Sequence, residues 1–310
     1  MMKVREIPLV FDCEGSDLVG MAHVPEAVRS RGLVFILAGA AQYRGGMCRM
    51  QVQMAREWAA QGVPVMRFDH RGLGDSPGTF RGFGGIGADI GAAVEIFLKQ
   101  VPGMTEVVLW GGCDAASATM INAWKYPAVT GIVLGNAWVH SEKTSDTAAI
   151  QHFSQRLRHK DFWLKVLRLQ YNPLPAIATI GRRAMAVLKK VLGLRTVGSR
   201  APFKDDPSLD PLLRMRNGLR RFKGDVLLLM SGRSLVSTEF DLLVADDPAW
   251  QQALQDRRRL ARYDLLNADQ ALSSIADRAE AARVTACWMM DPAADLGAAM
   301  TNACPRSEGG

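Results

Sequence analysis

The chain has 310 residues, is 48% hydrophobic and carries a formal net charge of +7, so it can bury one large core with room for an insertion. Its five cysteines, at 13, 48, 113, 287 and 304, form an odd set without metal-ligand spacing, and neither a metal nor a cofactor is expected. No apolar run reaches the ~18 residues a membrane span needs, and the opening Met1-Met2-Lys3-Val4-Arg5-Glu6 does not read as a signal peptide, which points to a reducing cytoplasm.

In chain order the pattern begins with a short antiparallel pair at 7–12 and 18–23 and then alternates strands and helices. Residues 33–37 are a fully apolar strand running into Ala38-Gly39-Ala40-Ala41-Gln42-Tyr43-Arg44. A helix follows at 47–61, where Met47, Met50, Met54 and Trp58 recur at helical spacing and read as core packing. The strand at 63–68 leads into Asp69-His70-Arg71-Gly72-Leu73-Gly74-Asp75-Ser76. Next come a helix at 86–99, a strand at 107–109, a helix at 115–124 and a strand at 131–135. Residues 141–215 break the alternation and read as an inserted helical cap, interrupted at Pro173 and Pro175. The alternation resumes with a strand at 226–230, a helix near 238–254, a last strand at 259–266 and a helix from about 272. This gives a core of residues 1–140 and 216–292, a basic cap of 141–215 and a small-residue polar tail, 293–310, expected to be disordered. Cys13 and Cys48 lie in apolar contexts and read as core or helix residues.

Trp110-Gly111-Gly112-Cys113-Asp114-Ala115 joins an apolar strand to a small-residue helix with a cysteine at the apex. Small residues two before and two after the apex, Gly111 and Ala115, suit a strained turn. The sulfur then faces a helix N-terminus, whose free N–H groups and dipole favour a thiolate. This resembles the nucleophile elbow of the α/β-hydrolases, Gly-x-Ser-x-Gly. The loop after the 33–37 strand and the Asp69–Ser76 turn are similar to the corresponding junctions of that superfamily. The resemblance implies a mostly parallel central sheet flanked by helices, with the helical cap after strand six. It also implies an oxyanion hole from the backbone N–H groups of Ala40 and Asp114.

Gln42-Tyr43-Arg44, the elbow through Ala118, Asn136-Ala137-Trp138-Val139 and Asp161-Phe162-Trp163 narrow the likeness, over about residues 5–275, to the exosortase A system-associated hydrolase 1 family. That family carries cysteine at the elbow. The resemblance implies a setting in bacterial cell-envelope and exopolysaccharide metabolism. It would put an aspartate where Ser234 stands and a histidine where Gln270 stands, so the triad is degenerate in this chain. Gln270 hydrogen-bonds but accepts no proton at neutral pH. Among nucleophiles, cysteine best survives that loss, being already a few per cent thiolate at pH 7.

No histidine follows His159. His140 follows strand six at the carboxyl end of the sheet and is the candidate surrogate base. His70 reads as a turn residue, His23 as a strand-end residue, and His152 and His159 as solvated positions. Between Gln151 and Arg200 eleven Lys or Arg face one acid, Asp161, a net +10 that leaves −3 for the remainder. Either the cap attracts an anionic substrate or carrier, or rests on an acidic membrane surface, or the charges are the solvated face of amphipathic helices. Nucleic acid is not expected, because no recognition motif accompanies the charge.

Two functions remain open from sequence. Cys113 attacks an ester or thioester carbonyl and passes the acyl group to water or another acceptor through a thioacyl-enzyme. Alternatively, the chain is a degenerate hydrolase that binds an acyl or lipid-like ligand or scaffolds partners. The substrate in either case is a small-molecule or carrier-bound acyl compound.

Overall fold

The computed structural model describes residues 2–37, 39, 42–139 and 206–291. Over these, the strands are β1 (Val4–Cys13), β2 (Ser16–Pro25), β3 (Arg31–Ile36), β4 (Val65–Phe68), β5 (Glu106–Gly112), β6 (Val129–Gly135), β7 (Asp225–Ser231) and β8 (Arg259–Leu265). The described helices are α1 (Met50–Ala60), α2 (Gly87–Gln100), α3 (Asp114–Asn122), α4 (Pro211–Arg221), α5 (Leu235–Asp246), α6 (Pro248–Gln255) and α7 (Ile275–Met290).

The strands form one sheet in the order β1-β2-β4-β3-β5-β6-β7-β8. β2 pairs antiparallel with β1 and β4, and every other pairing is parallel. A parallel sheet needs both faces covered, which is why its inner strands read as unbroken apolar runs. Along β5, Val107 and Leu109 enter the core shared with Ile90 of α2, Ala116 of α3 and Leu219 of α4. Val108 and Trp110 enter the opposite core, with Met54 and Trp58 of α1 and Trp288 of α7. β3, β5 and β6 end side by side, so their carboxyl-end loops converge. None of the described helices is long and apolar enough to cross a membrane.

Three local expectations fail for identifiable reasons. The helix expected from 47 starts at Met50, because Cys48 and Arg49 adopt left-handed φ values of 50° and 59°. Met47 and Cys48 are therefore exposed, while Met50, Met54 and Trp58 are buried as expected. The helix expected over 238–254 is two helices. Asp247 is extended (φ −123°, ψ 105°) before Pro248, and its carboxylate caps α6 by accepting from the Ala249 N–H at 2.8 Å. Finally, α4 runs across the expected cap boundary at 215, and Met215 and Leu219 lie in the main core. The expected cap at 141–205 and the tail at 293–310 lie outside the described residues.

α4 is the brace of α3. At Gly218 an added Cβ would lie 2.1 Å from the carbonyl oxygen of Met120 in α3. Gly218→Ala is expected to cost about 1–3 kcal/mol by forcing the two helices apart, measured as a lower Tm in thermal unfolding. An unchanged Tm would mean that α4 does not pack this closely.

Candidate active site

The β5–α3 junction forms the sharp turn that its small residues predict. Cys113 has φ 56° and ψ −123°, a conformation that non-glycine residues rarely adopt. Its N–H donates to the Gly135 carbonyl at 2.8 Å, and its own carbonyl accepts from Trp138 N–H at 3.2 Å and Ala116 N–H at 3.1 Å. Gly111 is obligatory in this turn: a Cβ there would lie 2.5 Å from the Ala115 carbonyl oxygen.

The electrostatics at the sulfur run against the expected activated thiolate. Burial raises the thiol pKa and the neighbouring Asp114 carboxylate raises it further. The Asp114 N–H and the Gln270 amide pull the other way without prevailing. The Cys113 thiol is thus held above its ordinary value despite the helix N-terminus. Asp114 itself is raised by burial, and its two carboxylate oxygens accept from Gly39 N–H at 2.9 and 2.8 Å. The carboxylate thereby occupies an amide of the loop after β3. Ala40, the expected second oxyanion donor, lies outside the described residues.

Gln270 lies against Cys113: its Nε2–H donates to Cys113 Sγ at 3.4 Å. Ser234 serves another purpose. It is the N-cap of α5, buried, with its hydroxyl accepting from Ser237 N–H at 3.3 Å. What ties the two loops together is Asn136, just past β6, with a left-handed φ of 46°. Its Nδ2 donates to Ser231 Oγ (2.9 Å) and to the Gln270 carbonyl (3.1 Å). Its Oδ1 accepts from Ser231 N–H (2.7 Å) and Ser237 Oγ (2.8 Å).

The described histidines are engaged elsewhere. His23 is fully buried on β2 and accepts from Arg67 Nε at 2.9 Å, and burial followed by Arg67 pushes its pKa down to about 4. His70 packs edge-on against Phe68, with its Nδ1 3.7 Å from Asp89. His140 lies outside the described residues. In the Asp69 turn, Asp69 accepts from Arg44 N–H and guanidinium and from Asp75 N–H, fixing the chain entering α1.

Above Cys113 opens a cavity of about 540 Å³, floored by Trp110, Gly112 and Gly135 and walled by Met47, Met50, Leu265 and Leu272. A volume of this size suits a small organic ligand. A family model described as "Serine aminopeptidase, S33" matches residues 28–191. The chain belongs to that α/β-hydrolase family.

Solved structures agree on the fold. An esterase of Pyrococcus furiosus is 12% identical, covering 91% of this chain and 88% of its own, with a TM-score of 0.55. Est1E of Butyrivibrio proteoclasticus, seen with ferulic acid, is 14% identical over 91% and 98%, with a TM-score of 0.54. A dienelactone hydrolase of Anabaena variabilis is 12% identical over 93% and 97%, with a TM-score of 0.52. No curated protein matches the chain by sequence.

Within this hydrolase fold, Asn136 has no local signature in the sequence: it stands in the Asn136-Ala137-Trp138-Val139 motif, and nothing there marks it as a hub. Asn136→Ala would strand several buried partners and is expected to cost about 2–3 kcal/mol, measured by chemical denaturation. It should also loosen the Gln270 loop, measured as faster amide exchange there. A loss of stability with no change in that loop would contradict the hub.

Proposed function

We propose that the protein is an acyl hydrolase or acyltransferase that uses Cys113 as nucleophile on ester or thioester substrates. The single observation that carries this reading is a strained elbow presenting a sulfur into an apolar cavity, with an amide N–H of Gln270 directed at it. Cys113 Sγ attacks the carbonyl carbon, an S–C bond forms, and the bond to the leaving alkoxide or thiolate breaks. The thiol proton leaves to solvent or to the departing group, because no imidazole acceptor is expected at Gln270. Backbone N–H groups of Asp114 and Ala40 hold the oxyanion. A second nucleophile, water or an acceptor, then takes the acyl group from sulfur. Transfer to a good nucleophile is easier than hydrolysis when no base activates water. His140 is the one histidine kept as a surrogate base.

The motif set at Gln42–Arg44, Cys113–Ala118 and Asn136–Val139 supports placing the chain with the exosortase-associated hydrolases, and the basic stretch from 151 to 200 supports a cap that draws in an anionic, carrier-bound acyl group.

The raised thiol pKa gives a pH test. The reactive form is the thiolate, so acylation and alkylation of Cys113 should rise about tenfold per pH unit through neutrality and into the alkaline range. No inflection should occur near the histidine value of ~6.5. The measurement is mass added at Cys113 by a small activated ester across pH. An absent adduct, or an equal one in Cys113→Ala, ends the proposal, and a plateau beginning below neutrality would mean that a base operates.

A second reading, a ligand-binding relative without turnover, is favoured by one observation: Ser234 is committed to capping α5 rather than to Gln270. Asp is as good an N-cap as Ser, so Ser234→Asp preserves the helix. Combined with Gln270→His, it is expected to raise esterase turnover at least about 100-fold, the scale of general-base catalysis. A folded double variant with no gain would count against the triad positions as aligned.

A further inference from the structure

We propose that β8 is the seam of a two-fold dimer, in which the edge strands of two copies of this chain pair antiparallel, centred on Tyr263, into one continuous sheet.

The two edges of the sheet are built differently. β1 carries Pro8, which has no N–H to offer a neighbouring strand, so that edge is blunted. β8 has no proline, and among the described residues no strand pairs with its outer side. An open edge of this kind presents a row of free N–H and C=O groups that a second strand can take up. Leu260, near the start of β8, and Leu266, the first residue past its end, are 42% and 75% exposed.

A two-fold axis fixes which residues meet. It brings the strands together antiparallel, and because side chains alternate between faces it must pass through a residue for each face to meet its own kind. A centre at Arg262 sets guanidinium against guanidinium, and one at Asp264 sets carboxylate against carboxylate. A centre at Ala261 leaves Leu260 opposite Arg262. The centre at Tyr263 instead matches charge with opposite charge and apolar with apolar. Arg262 of each copy faces Asp264 of the other, Leu260 faces Leu266, and Ala261 faces Leu265.

The charged pair already stands on one exposed face of β8. Arg262 Nη2 lies 2.8 Å from Asp264 Oδ1, and its Nη1 lies 2.6 Å from Asp241 of α5. In the dimer each Asp264 gains the guanidinium directly across the seam, so two arginines and two aspartates alternate around the axis. Opposite-charge and apolar pairs across strands each stabilise a sheet, and the symmetry supplies every one of them twice. Tyr263 faces the other way, toward α7, where its hydroxyl donates to Glu280 at 2.6 Å.

Sedimentation of the full chain over a concentration series is expected to show a monomer–dimer equilibrium. Leu266→Lys, at an exposed site, is expected to raise the dimer dissociation constant at least about tenfold, because the change enters the seam twice. Asp264→Arg is expected to do the same by setting Arg against Arg. Adding Arg262→Asp to it restores the complementary pairs and should bring the constant back to within about threefold of the parent. The register has its own readout. Tyr263→Cys under oxidation is expected to give a dimer linked 263 to 263. Ala261→Cys, roughly 14 Å from its counterpart in this register, is expected to give none. If Tyr263→Cys does not fold, the charge reversal and its rescue decide. A chain that stays monomeric at every concentration overturns the proposal, and slow amide exchange along β8 in that monomer would assign the edge to another segment of the same chain. A dimer indifferent to Leu266→Lys and Asp264→Arg, or one that links through Ala261→Cys, overturns it as well.

Discussion

Cys113 holds a backbone conformation that costs about 1–3 kcal/mol in isolation, and it persists because its surroundings leave no alternative. Gly135 takes its N–H, Trp138 and Ala116 occupy its carbonyl, and Gly111 gives the turn the space that any Cβ would fill. α3 starts at the next residue and is pressed from behind by α4 at Gly218, so the elbow cannot relax backwards. Each of these contacts joins β5 to β6 or to the helices behind them. The bend at residue 113 is therefore a property of the carboxyl end of the sheet's central strands, and the sulfur's exposure to the cavity follows from it.

The same bend sets a conflict of charge. A helix N-terminus stabilises a neighbouring anion by about 0.3–1 kcal/mol, up to ~2 kcal/mol when partly buried. Removing a thiolate from water costs more than that, and Asp114 adds repulsion, so the net direction is upward. Asp114 is not merely adverse, because its carboxylate fixes Gly39 and with it the loop after β3. The carboxylate that holds the loop is thus the same one that disfavours the Cys113 thiolate.

The sheet was legible in the sequence because burial on both faces forces continuous apolar strands, and the elbow was legible because only small residues fit around it. The Asp247-Pro248 break was also written in the sequence, as a capping residue followed by proline, yet the apolar spacing on either side masked it. Cys48 and Arg49 carried no such mark, since neither residue type signals a left-handed backbone. Gln270 could be placed from its position after the last strand, but its bond to sulfur depends on Asn136 gripping its carbonyl from 134 residues away. Long-range polar hubs of that kind leave no local pattern to read.

Ser234 and Gln270 show how the architecture and the proton chemistry come apart. Ser234 caps α5 through its hydroxyl, a task for which serine and aspartate are about equally suited. Gln270 is positioned through its main-chain carbonyl, which is indifferent to the side chain it bears. Neither loop therefore depends on an ionic acid–base pair for its shape. On the proposed reading, the chemistry falls on the atom at the bend. An oxygen nucleophile there would stay protonated at any ordinary pH, whereas sulfur keeps an accessible thiolate even with its pKa raised. A neutral amide donor such as Gln270 favours that thiolate over the thiol, which makes cysteine and glutamine a mutually consistent pair at this site.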